Sequence, residues 1–167
     1  MTMANTFEMF SITKDGTQVY MSEETREKHI HCSIQDLHEA LKEKISLTQS
    51  GLSLPTVMFD KVIGKNRLVS VTPEDKVVEW QRPFREGKTR FVLNRKSECT
   101  NQLNVVIDFD DKLGEYVVVT ACPGKEKPQE PGDPDVRDMA FSENFWANHA
   151  LIPDTRQRVA MKHEGIA

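Results

Sequence analysis

The 167-residue sequence is poor in cysteine and has no long apolar run. Its three cysteines, Cys32, Cys99 and Cys122, are odd in number and widely spaced, which argues against a disulfide framework. They also lack the CxxC or HxxxH spacing of structural zinc sites. His29 and His31 beside Cys32 have no two further ligands at recognisable spacing, so no metal site is assigned and no cofactor is expected. No apolar stretch approaches the ~20 residues of a spanning helix, which predicts no membrane partner. Residues Met1 to Thr6 show no basic or apolar signal region, and Glu164 to Ala167 carry no lipidation box. The expectation is a cytoplasmic protein with reduced thiols. Walker, GxGxxG, HExxH and GxSxG motifs are all absent, which removes kinase, dinucleotide and zinc-protease readings. An overall excess of positive charge is missing too. The 26 acidic and 22 basic side chains give −4, which argues against a uniformly basic nucleic-acid binder.

What is present is periodicity. Residues 1–21 form an N-terminal segment read as a short hairpin, with Phe7 and Met9 facing Val19 and Met21 across the turn dipeptide Asp15-Gly16. Ser22-Glu23-Glu24-Thr25 resembles a helix start. Ser33-Ile34-Gln35-Asp36 is a stronger one, followed by Ile34, Leu37, Leu41 and Ile45 at helical spacing and an end expected by Ser50-Gly51. After Pro55 the period drops to 2. A weak strand begins at Val57 and Phe59, and Thr72-Pro73-Glu74-Asp75 is a turn. Four alternating segments then contain Val78 and Trp80; Phe91 and Leu93; Leu103, Val105, Ile107 and Phe109; and Val117, Val119 and Ala121. The class is α+β: N-terminal helices packed on one face of a small twisted antiparallel sheet, with a short C-terminal helix around Phe141, Phe145 and Trp146. Residues 22–152 are read as a single domain and 153–167 as a tail or an added helix. Pro123, Pro128, Pro131 and Pro134 exclude regular structure over most of 122–138, leaving an ordered loop or a flexible strap.

The chemistry gathers between Arg82 and Lys96. Six cations (Arg82, Arg85, Lys88, Arg90, Arg95 and Lys96) face one acid, Glu86, a local balance of +5. Phe84 and Phe91 interleave with them. Arginine forks match phosphate oxygens; the competing reading is a solvated hairpin that balances acids elsewhere. If Phe91 and Leu93 face the helix, Arg90 points to the open face, joined there by Tyr116 and Thr120 and by Asn104 and Asp108. Metal-independent RNA cleavage needs a base, an acid and a cation at the phosphate. His31, just before the second helix, and His149, after Trp146, are the histidines placed for proton transfer. A surface or packing role is the alternative for each, and His29, His38 and His163 are weaker candidates.

The segment Lys88-Thr89-Arg90-Phe91-Val92-Leu93-Asn94-Arg95, with Ser97-Glu98-Cys99-Thr100, Tyr116 to Ala121, Pro123-Gly124 and Phe145-Trp146-x-x-His149-Ala150, resembles the barnase–EndoU–colicin–RelE superfamily of metal-independent ribonucleases. The likeness spans roughly residues 28 to 152 and is of the phage or mobile-element, toxin-like type. It implies a small antiparallel sheet on N-terminal helices with the active site on the open sheet face. Carried over by position, His31, Arg90, Thr100 and Thr120 are the catalytic set. Lys88, Arg95, Tyr116 and His149 are read beside them as substrate-binding residues, and RNA is the implied partner. The departures are the acidic overall charge, Asp108 near the site, and Cys99 where proline is expected. Two other classes stand beside this one. The first is a non-catalytic interaction module of a mobile element, binding a protein partner through the sheet edge or the Pro-rich loop 123–134. The second is a small-molecule enzyme with a cleft under that loop. Cys99 or Cys122 as nucleophile lacks an oriented histidine.

Overall fold

In the computed structural model the described residues are 6–47, 53, 55–83, 87–134 and 136–166. In chain order the elements are β1 (Phe7–Ile12), β2 (Gln18–Ser22), α1 (Glu23–Lys28), α2 (Ile34–Glu39, continued by a π-helical turn Ala40–Lys44), β3 (Thr56–Met58), β4 (Gly64–Asn66), β5 (Leu68–Ser70), β6 (Val77–Gln81), β7 (Lys88–Val92), β8 (Glu98–Thr100), β9 (Gln102–Asp110), β10 (Glu115–Pro123), α3 (Met139–Ala147), β11 (His149–Leu151) and α4 (Thr155–His163). They divide into two compact units. The first is Met1–Asn66 with Cys99–Glu126, and the second is Arg67–Glu98 with Lys127–Ala167.

The first unit is built on a five-stranded sheet in the order β1-β2-β10-β9-β3. The expected N-terminal hairpin is present, β1 pairing antiparallel with β2 around Gly16, whose φ of 84° is the left-handed geometry that glycine adopts without a Cβ penalty. Both helix starts fall where the capping residues stand. The Ser22 hydroxyl accepts from the Thr25 amide and the Ser33 hydroxyl from the Asp36 amide. Leu37, Ala40, Leu41 and Ile45 pack with Val19, Leu103, Val105 and Ile107 into the core. The second helix ends at Lys44, earlier than the spacing suggests, and Ser50-Gly51 lies outside the described residues. The first hairpin's turn captures the chain there. The Lys14 amide donates to the Ile45 carbonyl at 2.8 Å and the Leu47 amide to Asp15 Oδ2 at 3.0 Å. The close approach of β4 to the end of β10 favours glycine, since a Cβ on Gly64 would stand 2.5 Å from Pro123 Cγ.

One expectation fails in β10. Strict alternation places Val117, Val119 and Ala121 on the core face and Tyr116 and Thr120 together on the open one. The structure has a bulge between Val118 and Thr120. One extra residue reverses the parity of everything beyond it. Val118 and Ala121 therefore both enter the core, Val119 is 40% exposed, and Tyr116 packs against the core beside Phe109. Tyr116 and Thr120 thus leave the strand on opposite faces.

The second unit carries its own sheet, in the order β5-β11-β7-β6. Its core is Trp80, Phe91, Trp146, Leu151 and Met161. The single antiparallel sheet expected from the sequence is therefore corrected. The Arg90 strand belongs to a different sheet from β9 and β10, and both large sheets are mixed, with β2 parallel to β10 and β11 parallel to β7. The helices are likewise not confined to the N-terminal part, since α3 and α4 belong to the second unit. Residues 153–167 contain α4, whose start is a capping box between Asp154 and Gln157 and whose Met161 is fully buried. The Pro-rich stretch is tied down at Gln129 and Glu130. The Gln129 carbonyl accepts from Ser142 Oγ at 2.6 Å and Trp146 Nε1 at 3.0 Å, and the Glu130 carboxylate takes Arg82 at 2.8 Å. No described helix is long and apolar enough to cross a membrane.

Phe91 is fully buried at the centre of the second core. Phe91→Ala is expected to lower the unfolding free energy by ~3–5 kcal/mol. The exposed Val159→Ala should change it by less than about 0.5 kcal/mol, both read from urea denaturation. In the first unit, Lys61 bonds Asp36 at 2.8 Å and holds its carboxyl below the usual value, burial opposing this and the Ser33 contact assisting. A lowered folded value stabilises the fold above the ordinary carboxylate range of about 3.9 and loses that contribution as pH falls through it. Urea midpoints measured against pH should therefore drop below about pH 4 in the wild type, and Asp36→Asn should flatten that acid limb.

Candidate functional site

The eight residues singled out from the sequence are shared between the two units. His31, Thr100, Tyr116 and Thr120 belong to the first, and Lys88, Arg90, Arg95 and His149 to the second. Phe84, Arg85 and Glu86 of the basic patch lie outside the described residues.

In the first unit the His29–His31 segment runs beside β10, Ile30 forming a parallel bridge with Ala121. The His31 amide donates to the Ala121 carbonyl at 2.8 Å and the Ala121 amide to the His29 carbonyl at 3.1 Å. The Thr120 hydroxyl donates to that same His29 carbonyl at 3.0 Å and lies 3.6 Å from Cys122 Sγ. Thr120 and His31 are therefore neighbours, but the threonine proton is engaged with backbone, where it fastens the segment rather than facing a ligand. Thr100 Oγ1 accepts from the Gln102 amide at 3.1 Å, a turn-forming contact on another strand. Tyr116 is packed on the core. The two remaining polar residues of that face are also engaged: Asn104 donates to the Pro55 carbonyl and Asp108 accepts from the Phe109 amide.

The second unit holds a tighter arrangement. Helix α3 ends at Ala147, and the Asn148 amide donates to the Phe145 carbonyl at 3.1 Å. His149 Nδ1 lies 2.8 Å from the same oxygen, and the imidazole stacks on the Phe145 ring at 3.9 Å with an interplanar angle of 3°. A carbonyl oxygen only accepts, so Nδ1 carries the proton and the lone pair of the neutral ring sits on Nε2. Nε2 is 3.4 Å from Ser70 Oγ, on the strand that pairs with β11 at Ser70↔His149. Ser70 was not legible as a site residue, since nothing in its local pattern separates it from an ordinary strand end.

Two arginines bond the backbone of this group. Arg95 Nη1 donates to the Ser70 carbonyl at 3.0 Å and lies 3.3 Å from Asp75 Oδ2. Arg90 Nε donates to the His149 carbonyl at a long 3.4 Å. Leu151 stands level with Phe91, so alternation puts the His149 ring on the Phe91 face and sends Arg90 out on the other, with Glu79 directly across on β6. Lys88 is exposed at the start of β7. Arg82, expected in the patch, instead forms an ion pair with the buried Glu130 and donates to Thr89 Oγ1 at 3.0 Å. Arg158, unforeseen, donates to the Leu93 and Arg95 carbonyls and steadies the strand end that carries Arg95.

Among the described residues no group of three or more His, Cys, Asp or Glu side chains is placed to hold a metal ion. Comparison with protein-family models, curated proteins and solved structures gives no match.

The cysteines differ sharply. Burial, aided by Asp36 and Cys122, pushes the half-buried Cys32 thiol up to about 12, whereas Cys99 is exposed. Because the thiolate is the nucleophile, iodoacetamide at pH 8 should alkylate Cys99 first and Cys32 last in the folded protein, as read by peptide mass spectrometry.

Proposed function

We propose that the second unit binds RNA and cleaves its phosphodiesters without a metal, with His149 as the proton-transfer group. The observation that carries the reading is the fixed tautomer of His149, whose Nδ1 proton is held by the Phe145 carbonyl and whose Nε2 is turned toward Ser70. Such an imidazole is a preset base, its lone pair already turned outward from the ring nitrogen that does not donate. In this scheme Nε2 takes the proton of a ribose 2′-hydroxyl. The 2′-oxygen bonds to the adjacent phosphorus as the bond to the 5′-oxygen breaks, and that oxygen takes a proton from a solvent water, producing a cyclic phosphate end and a 5′-hydroxyl; the proton on Nε2 then returns to solvent. Arg95 on the Ser70 side supplies the positive charge that opposes the developing phosphorane, while Arg90 and Lys88 leave β7 on the opposite face and take no part in this step. His31, Thr100 and Thr120 keep the roles the family resemblance assigns them only as a separate proposal, since their observed hydrogen bonds are structural. The interaction-module reading is favoured by one observation. The loop from Gln129 to Asp133 is pinned in shape by Ser142, Trp146 and Arg82, and a prearranged Pro-rich segment loses little entropy on meeting a protein partner.

The test is incubation of the purified chain with total transfer RNA in EDTA. Wild type should cut, and His149→Asn should reduce the rate by about 10²- to 10⁴-fold, the usual contribution of one general acid–base group, while retaining RNA affinity. Arg95→Ala should weaken both binding and its salt dependence. Absence of wild-type cleavage in repeated preparations that bind RNA would reduce the reading to RNA binding, and absence of binding as well would overturn it.

A further inference from the structure

Helix α3 carries a feature that proton transfer does not use. Phe141 and Phe145 stand four residues apart on its surface, and His149 follows at the same spacing just past the helix end. Their rings form a ladder. Phe141 stacks on Phe145 at 6.3 Å between centroids and 25° between planes, and Phe145 stacks on His149 at 3.9 Å and 3°. The buried side of the helix is supplied by Ser142 and Trp146 instead. Phe141 is 57% exposed and the neighbouring Met139 46%. The backbone beneath is fixed, because the Asp138 carboxylate accepts from the Phe141 amide at 3.0 Å. One end of the ladder is thus an imidazole beside Ser70 and its Arg95 contact, and the other is an exposed phenyl ring.

We propose that Phe141 is a stacking platform for an unpaired nucleobase of single-stranded RNA, placed to seat the base of a nucleotide close to the one whose phosphate meets His149. The inference rests on the RNA-cleavage reading and names its substrate class. Three observations favour a base over a protein side chain. The ring planes are within 25° of parallel, so the ladder continues naturally with another flat π system, whereas an apolar side chain has no need of that order. The exposed ring is in line with the proposed proton-transfer group, as a one- or two-nucleotide spacing requires. Arg95, bonded to the carbonyl of the Ser70 that faces His149 Nε2, stands at the imidazole end, where a sugar–phosphate backbone would run. Bases in a duplex are already stacked on both faces, so the platform selects unpaired ones.

The experiment measures binding of a short fluorescein-labelled 2′-O-methyl oligonucleotide, which cannot be cleaved, by fluorescence anisotropy, with the same strand annealed to its complement as duplex control. Circular dichroism checks that each variant is folded. Phe141→Ala and Phe141→Leu should each weaken single-strand binding by roughly tenfold to a hundredfold, with an unchanged salt slope. Phe141→Trp should bind at least as well as wild type, and the emission it adds should be quenched on binding. Duplex affinity should change by less than about twofold in all three. Phe141→Leu binding as tightly as wild type would overturn the proposal in favour of an apolar protein-docking residue. Equal losses on single strand and duplex would overturn it as well. The two readings fail separately. A wild-type chain with no affinity for RNA removes the function proposed above, whereas one that binds and cleaves normally with unchanged Phe141 variants removes only the platform.

Discussion

The carbonyl of Phe145 organises the second unit. It accepts the Asn148 amide that closes α3 and lies within hydrogen-bond distance of His149 Nδ1. The first contact stops the helix, so that the next residue can begin β11. The second orients the ring of that residue and decides which nitrogen is free. A helix end normally leaves carbonyls without partners. Here the leftover acceptor is used to set a tautomer, and the chemistry of the imidazole follows from the position at which the helix stops. The parallel pairing of β11 with β7 and the core packing of Leu151 on Phe91 hold that stopping point in register.

How much of this was legible depended on whether the signal was local. The caps at Ser22 and Ser33, the Asp15-Gly16 turn and the Thr72–Asp75 turn are short-range hydrogen-bond patterns, and they appear where the residues stand. In β9, Leu103, Val105 and Ile107 alternate faithfully and all three are buried. β10 does not follow, because its bulge arises from pairing with β9 and leaves no mark in a run of valines. Sheet membership was equally hidden. Alternation shows that a segment has a buried face, not which partner supplies it, so Arg90 and Thr120 read alike though they lie in different sheets. The helix over Ala40–Lys44 stops where Asp15, more than thirty residues upstream, bonds the Leu47 amide, a long-range contact that helical spacing does not encode.

The charge pattern shows the same limit. Six cations between Arg82 and Lys96 look like an open basic face when counted along the chain. In the fold, Arg82 is drawn to a buried glutamate and Arg95 is shared between Asp75 and the Ser70 carbonyl. Their acidic partners lie 48 and 20 residues away, beyond the reach of a local count. What survives is narrower than a patch: one guanidinium, that of Arg95, on the Ser70 side of the histidine, with Arg90 bonded to the histidine's backbone from the other face. The histidine itself was identifiable by its place after Trp146, but its orientation was not, since that depends on a backbone oxygen and on the neighbouring ring.

The two units are interleaved in the chain, which passes between them at Asn66–Arg67, at Glu98–Cys99 and at Glu126–Lys127. Neither is a contiguous stretch. β2 waits for β10, so Val19 meets the neighbourhood of Tyr116 only after roughly a hundred further residues have been made. During synthesis the N-terminal hairpin therefore leaves the ribosome with one edge unpaired and stays so while much of the second unit is being translated. The order of emergence lets the first unit finish before the second, whose last segment follows Glu126. The first core therefore has all of its strands once β10 ends at Pro123, whereas the second still awaits Trp146, Leu151 and Met161, and a nascent chain halted before β10 leaves β2 and β9 without the strand that joins them.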